Sequence, residues 1–326
     1  MSNKLPLVSV LIPAYNHEKY VKETIASIIA QTYQPIELIM IDDGSKDGTF
    51  AKMQEMKPAC EKRFARVEMH TQSNAGTCET LNRLFKLAQG EYIYLIASDD
   101  MAKPEAIEKE VAFLSAHADY VLAVGDNDLI DGDSTPIGWD QDRHSTTLQH
   151  AKYKTFGAFL KQIRSDVDFS TDTFGRYDTP ALGNYIPNGY LISAQAWKQI
   201  PPFTKEAPLE DWFLMLQLAK LGKFKYLDKI LFSYRWHSEN TVCHLTRMNT
   251  ITHHTRLYEA GLVARLGDKE RKRQFDHANT KINVKCSLGN WLSYYSKTDI
   301  YSKRYILECF GKKWTLKRMP YREGML

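Results

Sequence analysis

Two stretches of this 326-residue chain share one design. Residues 38–49 read Leu-Ile-Met-Ile-Asp-Asp-Gly-Ser-Lys-Asp-Gly-Thr and residues 95–100 read Leu-Ile-Ala-Ser-Asp-Asp, each an apolar run that stops at two adjacent carboxylates. A run of strand length ending in acids and glycine puts the acids at a sheet's carboxyl edge, where open α/β folds bind their ligands. Two such edges suggest one nucleotide and one metal.

The surrounding pattern predicts strands at residues 7–13, 36–41, 67–71, 92–97 and 120–124. Between them fall four helical patterns. The first carries Val21, Ile25, Ile28 and Ile29 on one face with Asn16 as its cap, and the second starts at Thr49. The third places Leu81, Leu84, Phe85 and Ala88 inward, and the fourth opens near Pro104 and runs to about His117. Strands alternating with helices imply an α/β fold, a mainly parallel sheet with helices on both faces.

Composition sets the outer bounds. With 43% hydrophobic and 12% aromatic residues, the chain can bury a large domain plus an appendage. No apolar run reaches the roughly 18 residues of a spanning helix, and the first residues lack a signal peptide's apolar stretch, so the expected location is cytoplasmic. Five scattered cysteines, none in a Cys-x-x-Cys pair, argue against a disulfide framework and a zinc site. Charge is unevenly spread: residues 245–326 hold 17 Lys+Arg against 7 Asp+Glu, a net of +10, which leaves −6 on residues 1–244. That change marks the expected boundary between a catalytic domain, 1–240, and a basic, aromatic-rich helical region, 241–326.

Two familiar sites are excluded by their chemistry. A dinucleotide-binding turn needs Gly-x-Gly-x-x-Gly after the first strand, and Pro13-Ala14-Tyr15-Asn16 has no glycine there. Asp43, Ser45, Asp47 and Gly48 match the first positions of an EF-hand, but Gln54 stands where the bidentate Glu belongs.

In order along the chain come Val8-Ser-Val-Leu-Ile-Pro-Ala-Tyr-Asn16, Ile41-Asp-Asp-Gly-Ser-Lys-Asp-Gly-Thr49, Asn74-Ala-Gly76, Gly90-Glu-Tyr-Ile93, Ser98-Asp-Asp100 and Glu210-Asp-Trp212. This motif set resembles that of the family 2 glycosyltransferases, closely over residues 7 to about 125, more loosely to about 240, and not in the basic tail. The resemblance implies the GT-A fold, a nucleotide-sugar donor, read here as a UDP-sugar, a divalent metal, Mn2+ or Mg2+, and transfer with inversion at the anomeric carbon.

It also implies roles. A departing diphosphate must be neutralised, which a hard divalent cation held by a carboxylate can do. By position, Asp100 is the metal ligand, Asp99 accepts from the ribose hydroxyls, and Asp43 accepts from the uracil N3–H. Pro13, Ala14 and Tyr15 wall the base, with Asn16 beside them. Inverting displacement needs a general base, and Asp211 holds the family's position for it. Acids in the first turn of a helix also stabilise its dipole, so the Glu210-Asp211 pair has a purely structural reading as well. Glu210 supports the loop or hydrogen-bonds the donor sugar. Gly189, in Tyr185-Ile-Pro-Asn-Gly-Tyr190, either lines the transferred sugar or belongs to a surface turn. Similar enzymes carry an Arg-x-His like Arg235-Trp-His237, with the His on the metal and the Arg near the diphosphate. Asn74 contacts the nucleotide or caps its helix.

The acceptor side is less legible. Residues 126–150, rich in Asp, Gly, Ser and Thr, read as a long loop. The tail sets Trp291, Tyr294, Tyr295, Tyr301, Tyr305, Phe310 and Trp314 among Lys and Arg in segments that read as helical. Such a surface suits an anionic membrane or a glycan or lipid-linked glycan acceptor; equally, it suits packing on the catalytic domain or a homo-oligomer contact. No motif supports nucleic-acid binding. The sequence reading is therefore a glycosyltransferase of bacterial surface polysaccharide or lipopolysaccharide synthesis. The alternative is an inactive nucleotide-sugar-binding subunit or sensor on the same fold.

Overall fold

The computed structural model describes residues 5–283, 305–309 and 312–316. Near-continuous apolar sequence makes β1 (Val8–Ala14) and β2 (Ile36–Asp42) central strands covered on both faces. Between them runs α1 (Val21–Ile29), burying Val21, Ile25 and Ile28. Next come α2 (Thr49–Arg63), β3 (Arg66–Thr71), α3 (Thr77–Leu87) and β4 (Tyr92–Leu95). The order β3-β2-β1-β4 is parallel throughout, as expected. Successive residues of a strand face opposite ways. Val8, Val10 and Ile12 accordingly meet Ile25, Met53 and Ile107 on one face, and Leu11 meets Leu81 and Leu84 on the other.

The second half of the sheet is mixed. It adds β5 (Met101–Ala102), α4 (Ala106–Ala116), β6 (Tyr120–Ile130), β7 (Pro136–Trp139), β8 (Ser145–Thr146), α5 (Phe156–Ile163), β9 (Tyr190–Ser193), α6 (Ala194–Trp197), α7 (Glu210–Leu218) and β10 (Lys223–Arg235). Strand β9 is inserted antiparallel between β4 and β6, while β10 runs parallel to β6. The result is an α/β fold with a curled central sheet and flanking helices.

Residues 126–150 are not one long loop. Strand β6 continues through Asp126 and Asn127 to Ile130 and turns into a hairpin with β7. Polar residues extend a buried strand when their side chains are satisfied. Asp126 accepts from the Thr155 hydroxyl at 2.7 Å and the Gly157 N–H at 2.6 Å. Asn127 donates to the Asn188 carbonyl and accepts from its N–H, both at 2.9 Å.

Beyond β10 the chain is helical in α8 (Leu245–Arg265) and α9 (Lys269–Asn283). These helices pack on the preceding α/β part of the chain. Val263 and Phe275 share a buried cluster with Trp212 and Leu216, and fully buried Glu259 accepts from Gln217 at 2.9 Å, pairs with Lys220 at 2.7 Å and accepts from the Tyr177 hydroxyl. Where a helix is expected, β11 (Tyr305–Cys309) and β12 (Lys312–Leu316) form an antiparallel hairpin. Trp291, Tyr294, Tyr295, Tyr301 and Phe310 lie outside the described residues. No helix among the described residues is long and apolar enough to cross a membrane.

Candidate active site

The turn after β4 sends its adjacent carboxylates to different partners. Asp99 faces two imidazoles: its Oδ2 lies 3.1 Å from His237 Nε2 and 3.8 Å from His17 Nε2. His17, Asp99 and His237 each bring a ligand atom within 4.8 Å of the others'. Burial opposes the charge on Asp99, but the His237 hydrogen bond and the charges of His17 and His237 hold its carboxyl below the usual range. Ser98 Oγ holds His17 Nδ1 at 2.8 Å, and Tyr20 stacks on His237 with ring centroids 5.0 Å apart. Two imidazoles and a carboxylate fit a divalent transition ion such as Mn2+ better than Ca2+.

Asp100, expected to be the metal ligand, stands outside this cluster. Its Oδ1 accepts from the Arg235 N–H at 2.8 Å, and burial together with the charge of Asp99 pushes its carboxyl well above the usual range. Arg235, expected near the diphosphate, is fully buried. Its guanidinium donates to the carbonyls of Asp99 (2.6 Å) and Asp131 (3.1 Å), to Ser134 Oγ (2.8 Å) and to Glu23 (2.7 Å), beneath the Tyr20 ring. It acts as a strut that joins β10 to the turn holding Asp99.

At the end of β2, Asp43 is held by neutral donors. Its Oδ1 accepts from Gln72 Nε2 and the Ala75 N–H, both at 2.8 Å, and its Oδ2 from the Gly76 N–H at 2.9 Å. Its neighbour Asp42 accepts from the Thr71 hydroxyl at 2.9 Å, which fixes the same loop. Gly44, at φ +73°, lets that loop pass close to Asn74; a Cβ there would meet the Asn74 nitrogen at 2.7 Å. Asn74 and Tyr15 are exposed, and Ala14 is buried. Asn16 does not cap α1, which begins at Val21. It adopts φ +53° and clasps two loops, its N–H donating to Ser45 Oγ and its Oδ1 accepting from the Lys46 N–H, both at 2.8 Å.

Glu210 and Asp211, at the start of α7, separate two cavities. The smaller, about 180 Å³, is lined by Pro13, Asp100, Asn188 and Gly189 as well as by both acids. The larger, about 420 Å³, runs from the same acids toward α5 and α8. Asp211 Oδ2 accepts from Asn184 Nδ2 at 2.8 Å. Burial pushes the Asp211 carboxyl up, and burial with the charge of Asp211 pushes Glu210 up to about 7. A carboxylate raised toward neutrality beside a cavity is suited to take a proton from a bound hydroxyl. Gly189 has φ +72°, and a Cβ there would lie 2.0 Å from Phe232 Cδ2, so only glycine fits this wall.

Sequence reasoning missed His17, Ser98 and Asn184. His17 directly follows the first motif, which ends at Asn16; Ser98 sits inside the Ser-Asp-Asp motif as an unremarked neighbour. Nothing local marked Asn184, whose partner is 27 residues away.

A family model described as "Glycosyl transferase family 2" matches residues 9–177. An uncharacterized glycosyltransferase of Haemophilus influenzae is 40% identical over 245 residues, 72% of this chain and 67% of that protein. Chondroitin synthase of Escherichia coli is 25% identical over 82% of this chain, which spans 34% of that much longer protein. Among solved structures, the Pyrobaculum calidifontis mannosyltransferase PcManGT in complex with GDP-Man and Mn2+ superposes with a TM-score of 0.54 at 13% identity, covering 88% of this chain and 77% of that one. The chain thus belongs to glycosyl transferase family 2 and is a glycosyltransferase with the GT-A fold.

Proposed function

We propose that the chain transfers a sugar, with inversion, from a UDP-sugar to a hydroxyl of a glycan or lipid-linked glycan, in the synthesis of a bacterial surface polysaccharide. The observation that carries this reading is the acidic pair Glu210–Asp211 lining two cavities, the smaller of which is also lined by Asp100, next in the chain to Asp99 of the His17, Asp99 and His237 cluster.

In this reading the smaller cavity and the Asp43 loop take the donor, and the larger cavity takes the acceptor. His17, Asp99 and His237 hold the divalent ion, which supplies charge neutralisation for the departing diphosphate. Asp43, fixed by three N–H donors, keeps lone pairs for the base's N–H. Asp211 accepts the acceptor hydroxyl's proton as that oxygen attacks, and Asn184 holds it in position. Glu210 shares the wall of both cavities and orients the sugar being transferred. Gly189 leaves room for that sugar. The basic region 245–326 brings the enzyme to the inner face of the membrane, where lipid-linked acceptors reside.

The test is a thermal-shift panel of UDP-, GDP-, dTDP- and CMP-sugars, each with and without Mn2+, because a ligand that binds only the folded state raises its melting temperature. A UDP-sugar that stabilises only with Mn2+ is the expected result. Preference for another nucleotide overturns the donor assignment, and no shift with any of them favours an inactive relative.

A further inference from the structure

The two imidazoles that face Asp99 are held in different ways. His17 turns Nε2 toward the carboxylate and anchors its far nitrogen, Nδ1, on Ser98 Oγ at 2.8 Å. His237 turns Nε2 to the same carboxylate oxygen, but its Nδ1 is buried and makes no hydrogen bond with any described residue. Its backbone N–H is fixed by Asn240 Oδ1 at 2.6 Å, which places the backbone and not the ring. A metal-binding imidazole ordinarily has its second nitrogen tied to a neighbouring polar group, because that bond sets the ring's orientation. His237 lacks that tie.

What it has instead is Tyr20. This tyrosine immediately precedes α1, in the turn that His17 closes by accepting from the Tyr20 and Val21 N–H groups at 3.0 and 2.9 Å. Its ring stacks on His237 with centroids 5.0 Å apart and planes 26° apart, meets the His17 ring edge to face at 6.0 Å, and lies 4.8 Å from the Arg235 guanidinium. Tyr20 is half-buried, belongs to none of the described hydrophobic clusters, and its hydroxyl makes no hydrogen bond among the described residues. Core packing therefore does not account for an aromatic ring at this position. Contact with the two imidazoles and the guanidinium does.

We infer that Tyr20 is a positioning residue for the metal centre: its ring sets the plane of the His237 imidazole and spaces it from His17, so that both Nε2 atoms face Asp99. This rests on the reading of His17, Asp99 and His237 as that centre. The ring does the positioning and the hydroxyl does not. Phenylalanine should therefore serve in its place, while leucine, apolar but without a flat face, should not.

The experiment compares the full chain as wild type, Tyr20→Phe and Tyr20→Leu by two readouts. Mn2+ titration followed by EPR should give Tyr20→Phe an affinity within about threefold of wild type and Tyr20→Leu one about tenfold weaker. In the metal-free chain, NMR of the histidine ring protons, with His237→Ala assigning the signals, should show the His237 resonances displaced upfield by the aromatic face in wild type and Tyr20→Phe. In Tyr20→Leu they should return toward the position of a free imidazole. Unchanged Mn2+ affinity in Tyr20→Leu, an equal loss in Tyr20→Phe, or His237 resonances that do not move overturns the inference. A wild-type chain that binds no Mn2+ overturns the metal reading and the inference with it, whereas Mn2+ binding indifferent to Tyr20→Leu removes the inference alone.

Discussion

Asp42-Asp43 at the end of β2 and Asp99-Asp100 after β4 are the same dipeptide at the same edge of one sheet, yet their surroundings differ in kind. Asp43 and Asp42 are held by Gln72, Ala75, Gly76 and Thr71, all neutral donors from the adjoining loop. Asp99 and Asp100 meet His17, His237 and Arg235, which come from the two ends of the domain. Neutral donors fix a permanent acceptor. Imidazoles beside a carboxylate make a place where a metal can replace protons. The same dipeptide at the same edge thus has a chemistry set by what the rest of the chain brings to it.

The sharpest way to break this comparison is to add the third pair. Asp211→Asn should lower turnover by about 10²–10⁴-fold with little change in UDP affinity, as expected for loss of a general base. Single-turnover kinetics with the donor found by thermal shift measures it, and parallel loss of UDP binding would move Asp211 out of the base role. Within the second pair, Asp99→Ala should weaken Mn2+ binding by about 100-fold or more, whereas Asp100→Asn should leave it within about threefold; Mn2+ titration followed by EPR separates them. Equal losses would make the two acids a joint ligand set.

Two smaller effects sharpen the contrast. Gly189→Ala should cost about 2–4 kcal/mol in urea unfolding, from the collision with Phe232 and the left-handed backbone together. Asp43→Ala should cost about 1–3 kcal/mol by leaving the Ala75 and Gly76 N–H groups without their acceptor, with Mn2+ affinity unchanged. The smallest expected effect is on pH dependence. Burial and the charge of Asp211 raise Glu210 to about 7, so the folded chain holds that proton more tightly than the unfolded one. Its contribution to stability is full below about pH 4.5 and is lost as pH rises through about 7. Glu210→Gln should flatten that slope in melting curves taken across this range.

The first half of the sheet was legible because its signals are local. Strands β1 to β4 and their helices follow periodicity, and Asp43 and its loop occupy consecutive residues. What escaped the sequence was assembled over long distances. Strand β9 enters antiparallel with no local mark of its partners, and Asn127 and Asn188 together let β6 run on through polar residues. The family resemblance put Arg235 near the diphosphate; no local pattern marked the partners its guanidinium has, the carbonyls of Asp99 and Asp131, Ser134 and Glu23. His17 was passed over because its value lies in facing residues 99 and 237. The hairpin at β11 and β12 replaced an expected helix in a segment where aromatic and β-branched residues compete with helical spacing.

The most direct test of the account is calorimetric titration of UDP into the wild-type chain and Asp99→Ala, each with and without Mn2+. The account predicts UDP binding that requires Mn2+ in the wild type and is lost in Asp99→Ala. UDP binding of equal strength without metal, or retained by Asp99→Ala, would contradict the assignment of the His17, Asp99 and His237 cluster as the metal centre of the donor site.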